Sequence, residues 1–139
     1  MSEDELQIRR EVTLHAARED VWSALTEPEL IERWLADEVD LDPREGGEVR
    51  FRYEDGEERR GRVEEIVPAE RLRIRWRRER RSESEVEFVL ADAAAGTRLL
   101  VIESGAALAH HASSAVWADR LLLLEVMCLD RSVAALPSA

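Results

Sequence analysis

The chain has 139 residues, a formal net charge of −11 and an isoelectric point near 4.8. This length suits one domain with a hydrophobic core, here residues 1–139. Such an acidic chain repels phosphate, so nucleic-acid binding would require a segregated basic face. The single cysteine, Cys128, excludes an internal disulfide. The charged N-terminus lacks a signal segment, and the apolar stretch from Leu121 to Leu129 is too short to cross a bilayer. We therefore expect a cytoplasmic protein without a membrane partner.

The first third of the chain predicts one strand and two short helices. Residues 7–16, which include "EVTLHA", alternate weakly between polar and apolar side chains, as a first strand does. "REDVWSALT" then has apolar side chains at helical spacing. "TEPELIERWL" predicts a second short helix, because Thr26 and Glu29 have the spacing of a capping box and Pro28 suits a first turn. The apolar stripe of this helix comprises Leu30, Ile31, Trp34 and Leu35.

The middle of the chain reads as a series of strands. "EVDL" leads to a turn at residues 43–47, and "EDGEE" is a hairpin turn. Between them "EVRFRY" alternates, with an inward set comprising Val49, Phe51 and Tyr53. "RGRVEEIV" follows and allows two registers: either Arg62 and Glu64 point inward, or Val63 and Glu65 do. A buried Arg62–Glu64 pair would be a candidate for orienting a ligand.

The stretch "RLRIRWRRERR", residues 71–81, has the density of arginines that is typical of a nucleic-acid-binding site. Its arginines alternate with apolar side chains, which is the pattern of a strand with one wet face. The next stretch, "SESEVEFVL", supplies alternating glutamates. Folding the two as a hairpin pairs Arg73 with Glu87, Arg75 with Glu85, Arg77 with Glu83, Ile74 with Val86 and Leu72 with Phe88. The tract is therefore interpreted as a solvated sheet face, and we expect no nucleic-acid partner.

The C-terminal part predicts one more strand, "TRLLVIES", and then a long helix over about residues 109–136. This helix carries two apolar stripes. The first comprises Trp117, Leu121, Leu124 and Cys128, and the second comprises Leu122, Val126, Leu129, Val133 and Leu136. One stripe must pack on the sheet. The second is left to pack on the short helices, to face a cavity or to form a homodimer interface.

Several short segments together resemble the START-like helix-grip superfamily, in the branch named for the activator of heat-shock ATPase homologue and grouped with polyketide cyclases. The segments are Val21–Trp22–Leu25–Thr26–Pro28, Ile31–Trp34, Gly61–Val63–Glu65–Ile66–Pro68, and Arg71–Leu72 with Trp76. The resemblance implies an α+β fold in which a curved antiparallel β-sheet wraps around a long C-terminal α-helix, with two short helices after the first strand. One departure is that Val116–Trp117 stands where such proteins commonly have glycine and tryptophan.

The resemblance also implies a cavity between the sheet and the long helix, and hence binding of a small apolar or amphipathic ligand. The candidate ligand-binding residues are Trp34, Phe51, Tyr53, Arg62, Glu64, Ile74, Trp76, Phe88, Trp117 and Leu121. Two alternatives remain open. One is a cyclase- or dehydratase-type enzyme, with Glu64, Glu65, Arg62 or Tyr53 as acid–base groups. The other is a protein-interaction module that uses the charged sheet face.

Neither a metal nor a cofactor is expected. His110 and His111 are adjacent, and adjacent residues on a helix point about 100° apart, so they do not share a metal easily. The chain has no phosphate-binding loop and no dinucleotide fingerprint.

Overall fold

A computed structural model describes residues 7–78, 83–105 and 113–135 of the chain. The elements follow the predicted order of one strand, two short helices, six strands and one long helix. They are β1 (Gln7–Leu14), α1 (Arg18–Thr26), α2 (Pro28–Ile31), β2 (Glu38–Leu41), β3 (Glu48–Arg52), β4 (Glu58–Val67), β5 (Arg71–Arg78), β6 (Ser84–Ala93), β7 (Gly96–Ser104) and α3 (Ser113–Ala135). The predicted helix-grip architecture is confirmed.

The seven strands form one antiparallel sheet in the order β1-β7-β6-β5-β4-β3-β2. The sheet is curved, and α3 packs on its inner face. The predicted register of the β5–β6 hairpin is confirmed for the pairs Leu72–Phe88, Arg73–Glu87, Ile74–Val86 and Arg75–Glu85. The pairing ends with Trp76 opposite Ser84, so the predicted Arg77–Glu83 pair lies beyond it. Glu83 lies instead 3.9 Å from the Arg75 guanidinium.

The outer face of the sheet carries alternating arginines and carboxylates. Arg75 is the centre of the largest group, with its Nε 3.1 Å from Glu64 and its Nη2 3.3 Å from Glu85. Arg71 lies 3.2 Å from Glu87 in the same way. The arginines at positions 71, 73 and 75 of this tract therefore have carboxylate partners within the sheet.

Strand β4 follows neither of the two predicted registers throughout. Val63 faces inward and is buried, which places Arg62 on the outer face. A β-bulge then lies between Val63 and Glu65, because Val63 is opposite Ile74 while Glu65 is opposite Arg73. The extra residue, Glu64, contacts Arg75 and Arg62 on the outer face. After the bulge the strand points Glu65 outward as well, toward Arg71 and Arg73.

The space between the sheet and α3 is occupied by a buried aromatic and aliphatic core. Phe88 lies at its centre and makes edge-to-face contacts with Trp34 and Trp117, at centroid distances of 6.4 and 6.0 Å. Phe51 contacts Trp76 in the same geometry at 5.1 Å. These aromatic contacts pack the layer around Phe88.

Helix α3 has one buried and one exposed apolar face. The first predicted stripe is buried in the core, together with Met127. The second stripe is exposed where the structure describes it: Leu122 is 59% exposed, Val126 52% and Leu129 48%. Neither short helix covers these side chains.

The predicted capping box at the second short helix does not form. Helix α2 is a single turn that starts at Pro28, and its N-cap residue is Glu27 without a side-chain hydrogen bond. The Thr26 hydroxyl instead donates to the carbonyl of Trp22, 2.8 Å away, at the end of α1. A helix of one turn exposes few amide groups, so its position depends on the burial of Ile31 and Trp34.

Candidate functional site

A pocket of about 500 Å³ opens at the end of the sheet where β3, β5 and β7 finish and α3 begins. It lies beside the packed core. Its lining consists of Leu35, Asp37, Tyr53, Glu54, Asp55, Glu57, Arg59, Trp76, Glu103, Val116, Trp117 and Arg120. The pocket therefore lies between strands of the sheet and α3, and it combines three aromatic side chains with seven charged ones, which makes its lining more polar than the resemblance implied.

The floor of the pocket is the carboxylate of Glu103, which is 3% exposed. Its Oε1 accepts a hydrogen bond from the Trp117 indole at 2.8 Å. Its Oε2 accepts from the Ser84 hydroxyl at 2.9 Å and from the Trp76 indole at 3.2 Å. A buried charge is tolerated only when hydrogen bonds and a counter-charge replace its hydration, and these donors supply the hydrogen bonds. Glu103 thereby joins three strands to the first turns of α3.

The counter-charge comes from Arg59 on β4. Its Nη1 lies 3.6 Å from Oε2 of Glu103, and its guanidinium stacks over the Trp76 ring at 4.6 Å from the centroid. Arg59 faces inward because it is two residues before Gly61 and four before Val63 on the same face of the strand. Gly61 lets β4 approach β5 closely, since a Cβ there would collide with the backbone carbonyl of Arg75.

The mouth of the pocket is formed by the β3–β4 turn and by α3. Arg120 of α3 extends over the Tyr53 ring, with Cζ 5.5 Å from the centroid. Tyr53 is followed directly by Glu54 and Asp55, and its backbone amide donates to the carbonyl of Glu57 at 2.8 Å, which closes the turn. This tight turn places an aromatic face and several carboxylates at one edge of the pocket.

The structure divides the ten predicted site residues into three groups. Tyr53, Trp76 and Trp117 line the pocket. The second group, Trp34, Phe51, Ile74, Phe88 and Leu121, is buried in the core beside it. Arg62 and Glu64 do not reach the pocket: the inward-facing Val63 leaves Arg62 on the outer face, and the bulge does the same for Glu64. Of the acid–base candidates, only Tyr53 lies at the pocket, since Glu65 also faces outward.

Glu103, Arg59 and Arg120 are pocket residues that were not predicted from the sequence. A signal for Glu103 was present: in "TRLLVIES" it lies two and four residues after Val101 and Leu99, which are both buried. Strict alternation therefore places this glutamate on the apolar face. The inward position of Arg59 follows from the register of Val63 in the same way, but that register could not be chosen from the sequence.

The pocket offers binding groups rather than a reactive pair. Both oxygens of Glu103 already accept hydrogen bonds, so this carboxylate holds the walls together instead of facing a ligand with a free oxygen. Within the described ranges, no group of three or more His, Cys, Asp or Glu side chains has the arrangement of a metal site. His110 and His111 lie outside the described residues. No helix in the described part of the chain is long and apolar enough to span a membrane.

The curved seven-stranded sheet around a long C-terminal helix, with a pocket at one end, defines the helix-grip class of START-like proteins. Residues 15–124 match the family described as Activator of Hsp90 ATPase homolog 1-like protein. Because this match covers most of the 139 residues, the chain belongs to that family.

Solved structures with the same fold include proteins of bacterial origin. Protein MLL2253 from Mesorhizobium loti is 27% identical with a TM-score of 0.82, and the alignment covers 91% of this chain and 98% of that one. CalU16 from Micromonospora echinospora is 30% identical with a TM-score of 0.70, over 88% of this chain and 73% of that one. DynU16, a protein of the dynemicin biosynthetic locus, is 26% identical with a TM-score of 0.75, over 86% of this chain and 45% of that one. No match was found among curated protein sequences.

Proposed function

We propose that this protein binds a small amphipathic molecule in the pocket between the β3–β4 turn and α3. The observation that carries the proposal is the pocket of about 500 Å³, walled by Tyr53, Trp76 and Trp117 and closed at its floor by the buried Glu103. A space of this size accommodates a drug-sized molecule. The mixture of aromatic and charged walls favours a ligand with a flat apolar body and a polar group.

The arrangement of Glu103 supports a binding role. Trp76 and Trp117 border the pocket as buried walls, and the Glu103 carboxylate accepts from both indole nitrogens, with Ser84 Oγ as a second acceptor for Trp76. Walls held in this way lose little conformational freedom when a ligand binds, which favours affinity. The similarity to DynU16, a protein in the dynemicin biosynthetic locus, is consistent with a small-molecule ligand here.

The enzyme alternative has weaker support. Glu103 and Arg59 form an oppositely charged pair at the pocket. Both carboxylate oxygens of Glu103 already accept hydrogen bonds from side chains of the fold, which favours a structural role over proton transfer. The interaction-module alternative would use the outer sheet face, where the charged side chains already pair with one another. We therefore favour ligand binding over both alternatives. We also propose that the protein is cytoplasmic and acts without a cofactor.

The test fills the pocket and compares the result with a matched substitution outside it. Val116 lines the pocket and is 51% exposed, whereas Val126 on the same helix is 52% exposed and is not part of the lining. Binding of flavonoids, fatty acids and polyketide-like aromatics would be measured by isothermal titration calorimetry. Val116→Trp should weaken the binding of any ligand found by about tenfold or more, and Val126→Trp should leave it unchanged.

Two outcomes would contradict the proposal. One is a panel without any binder to the wild-type protein. The other is a binder whose affinity falls equally in Val116→Trp and Val126→Trp, because it would then occupy a different site. The substitution Leu121→Trp is unsuitable for this test, since Leu121 is buried in the core and is not a wall of the pocket.

We further propose that the exposed stripe of α3 forms a homodimer. Leu122, Leu123, Val126 and Leu129 make a contiguous apolar surface that each copy presents to the other. Exposed patches of this kind commonly mark interaction sites. Sedimentation should show a dimer at high micromolar concentration, and the double substitution Leu122→Glu with Val126→Glu should shift it to monomer. A wild-type protein that stays monomeric at that concentration would refute the dimer.

A further inference from the structure

The lining of the pocket is unbalanced in charge. It contains five carboxylates, those of Asp37, Glu54, Asp55, Glu57 and Glu103, and two guanidiniums, those of Arg59 and Arg120, which gives a formal charge of −3. Glu103 and Arg59 largely neutralise each other at the floor, 3.6 Å apart. The excess negative charge therefore belongs to the mouth. Since the whole chain also carries −11, the surrounding field reinforces it.

The acidic groups at the mouth differ from the carboxylates of the sheet. On the outer face, Glu64, Glu85 and Glu87 each have an arginine within 3.3 Å. In contrast, within the part of the chain that the structure describes, Asp37 and Glu54 form no ion pair with an arginine. The protein thus pairs its charges across the sheet and leaves negative charge uncompensated at the pocket.

The aromatic walls of the pocket already hold cations. Arg59 stacks over Trp76 at 4.6 Å, and Arg120 stacks over Tyr53 at 5.5 Å, both within the range of cation–π attraction. The two arginines are held differently. Arg59 is also bound to the buried Glu103, whereas the contact found for Arg120 in the described residues is the Tyr53 ring alone. Arg120 is half-exposed on a surface helix, so its side chain can leave the ring at small cost.

We propose that the pocket selects a cationic ligand, an amphipathic amine whose protonated nitrogen replaces the Arg120 guanidinium over the Tyr53 ring while its flat apolar body lies in the pocket beside Val116. This inference rests on the proposed binding function and specifies its ligand class. Glu54 and Asp55, which follow Tyr53 in the turn, supply the negative field around the nitrogen. An anionic ligand of the same shape would meet the same carboxylates and be repelled.

The first experiment varies only the charge of the ligand. The probes are 2-(1-naphthyl)ethylamine, 1-naphthaleneethanol and 1-naphthaleneacetate, measured by isothermal titration calorimetry at neutral pH and low salt. The amine should bind about tenfold more tightly than the alcohol, and the carboxylate should bind most weakly. Raising the salt concentration should reduce the preference for the amine, because the mouth is open to solvent and its field is screened.

The second experiment removes the competing cation. Arg120→Gln should strengthen amine binding several-fold and change alcohol binding by less than about twofold, because only the amine competes with the guanidinium. Arg98→Gln is the matched control: Arg98 lies on β7 outside the pocket lining, so the net charge changes equally without freeing the ring. A third variant, Tyr53→Leu, keeps an apolar wall but removes the ring, and it should weaken the amine alone.

The outcomes separate the ligand class from the binding function. If the alcohol or the carboxylate binds as tightly as the amine, the charge inference is wrong while the pocket remains a binding site. If Arg120→Gln and Arg98→Gln strengthen amine binding equally, the effect comes from net charge and displacement of Arg120 is refuted. If none of the three probes binds and the Val116→Trp comparison also shows no site, both the inference and the proposed function fail.

Discussion

The two faces of the sheet use the same charged residue types for different purposes. On the outer face, arginines and glutamates alternate across neighbouring strands, and each ion pair remains partly exposed, as in the Arg75–Glu85 pair. On the inner face, a single carboxylate, Glu103, is buried among apolar side chains and is bound by two indoles, a hydroxyl and Arg59. The outer pairs are numerous and individually weak, whereas the inner cluster is small and each of its members depends on the others.

The role of an arginine-rich segment depends on which face of the sheet its side chains occupy. Strand β5 has the highest density of arginines, but these arginines form ion pairs with Glu64, Glu85 and Glu87. Arg59, the arginine at the floor of the pocket, lies in β4 instead. Its importance comes from facing inward beside a buried carboxylate, which is a property of the strand register and not of composition.

The largest expected effect comes from removing the inner carboxylate. Glu103→Ala leaves the Arg59 charge without its partner and the Trp117 indole and the Ser84 hydroxyl without their acceptor, so we expect a loss of about 3–5 kcal/mol in the free energy of unfolding. The outer-face counterpart Glu85→Ala should cost about 0–1 kcal/mol, because that pair is screened by solvent. Urea unfolding followed by circular dichroism measures both. Similar losses of stability in the two variants would contradict the proposed difference between the inner and outer faces. If Glu103→Ala does not fold, Glu103→Gln is compared with Glu85→Ala instead.

Two adjacent residues of β4 offer a second comparison. Gly61 faces the inner side, where a Cβ would collide with the backbone carbonyl of Arg75. Gly61→Ala should therefore cost about 1–3 kcal/mol through displacement of β4 from β5. The neighbouring Arg62→Ala, on the outer face, should cost about 0–1 kcal/mol. The same unfolding measurement applies, and a neutral Gly61→Ala would mean that the two strands can separate without loss.

The ion pairs of the outer face should make the free energy of unfolding depend on pH. The hydrogen bond from Arg75, supplemented by one from Arg62, holds the pKa of Glu64 below its usual value of 4.5, against the opposing effect of desolvation. A carboxyl whose pKa is lower in the folded state stabilises the fold above its unfolded pKa, and this contribution is lost as pH falls through the folded pKa. Glu64→Gln should thus be slightly less stable than the wild type at pH 7 and equal to it near pH 2. A difference that persists in acid would show that Glu64 acts through packing.

The smallest expected effect concerns nucleic acid. Because the outer arginines are paired with carboxylates in a chain of net charge −11, filter binding should show no sub-micromolar, salt-sensitive affinity for DNA or RNA. Arg73→Gln should change the free energy of unfolding by about 0–1 kcal/mol. Tight binding that weakens as salt rises would show instead that the sheet face is a nucleic-acid surface.

Local patterns predicted much of the architecture. Period-two alternation identified the strands, and matching Ile74 with Val86 gave the β5–β6 register that the structure confirms. The helical stripe through Trp117 and Leu124 was correctly assigned to the sheet. These predictions succeeded because each depends on side chains that are neighbours along one strand, one helix or one hairpin.

The site was predicted less well, for a physical reason. Tyr53, Trp76 and Trp117 were predicted from strand alternation and helical spacing, and they line the pocket. Arg62 and Glu64 lie on the outer face instead, Arg62 because Val63 points inward and Glu64 because it is the extra residue of the bulge. A bulge inserts a single residue, so each side chain after it points to the opposite face of the sheet from the one that strict alternation predicts. Its position depends on how β4 fits β3 and β5 together, which no local pattern contains.

The order of the elements, the hairpin register and the inward aromatic residues could be predicted from the sequence, because they follow from periodicity and nearest-neighbour pairing. The position of the pocket at one end of the sheet and the role of Glu103 in holding its walls became apparent only in the folded protein. Those features require β5, β6, β7 and α3 to bring Trp76, Ser84 and Trp117 within hydrogen-bonding distance of one carboxylate. Contacts between residues so distant along the chain are set by the packing of the whole sheet against the helix.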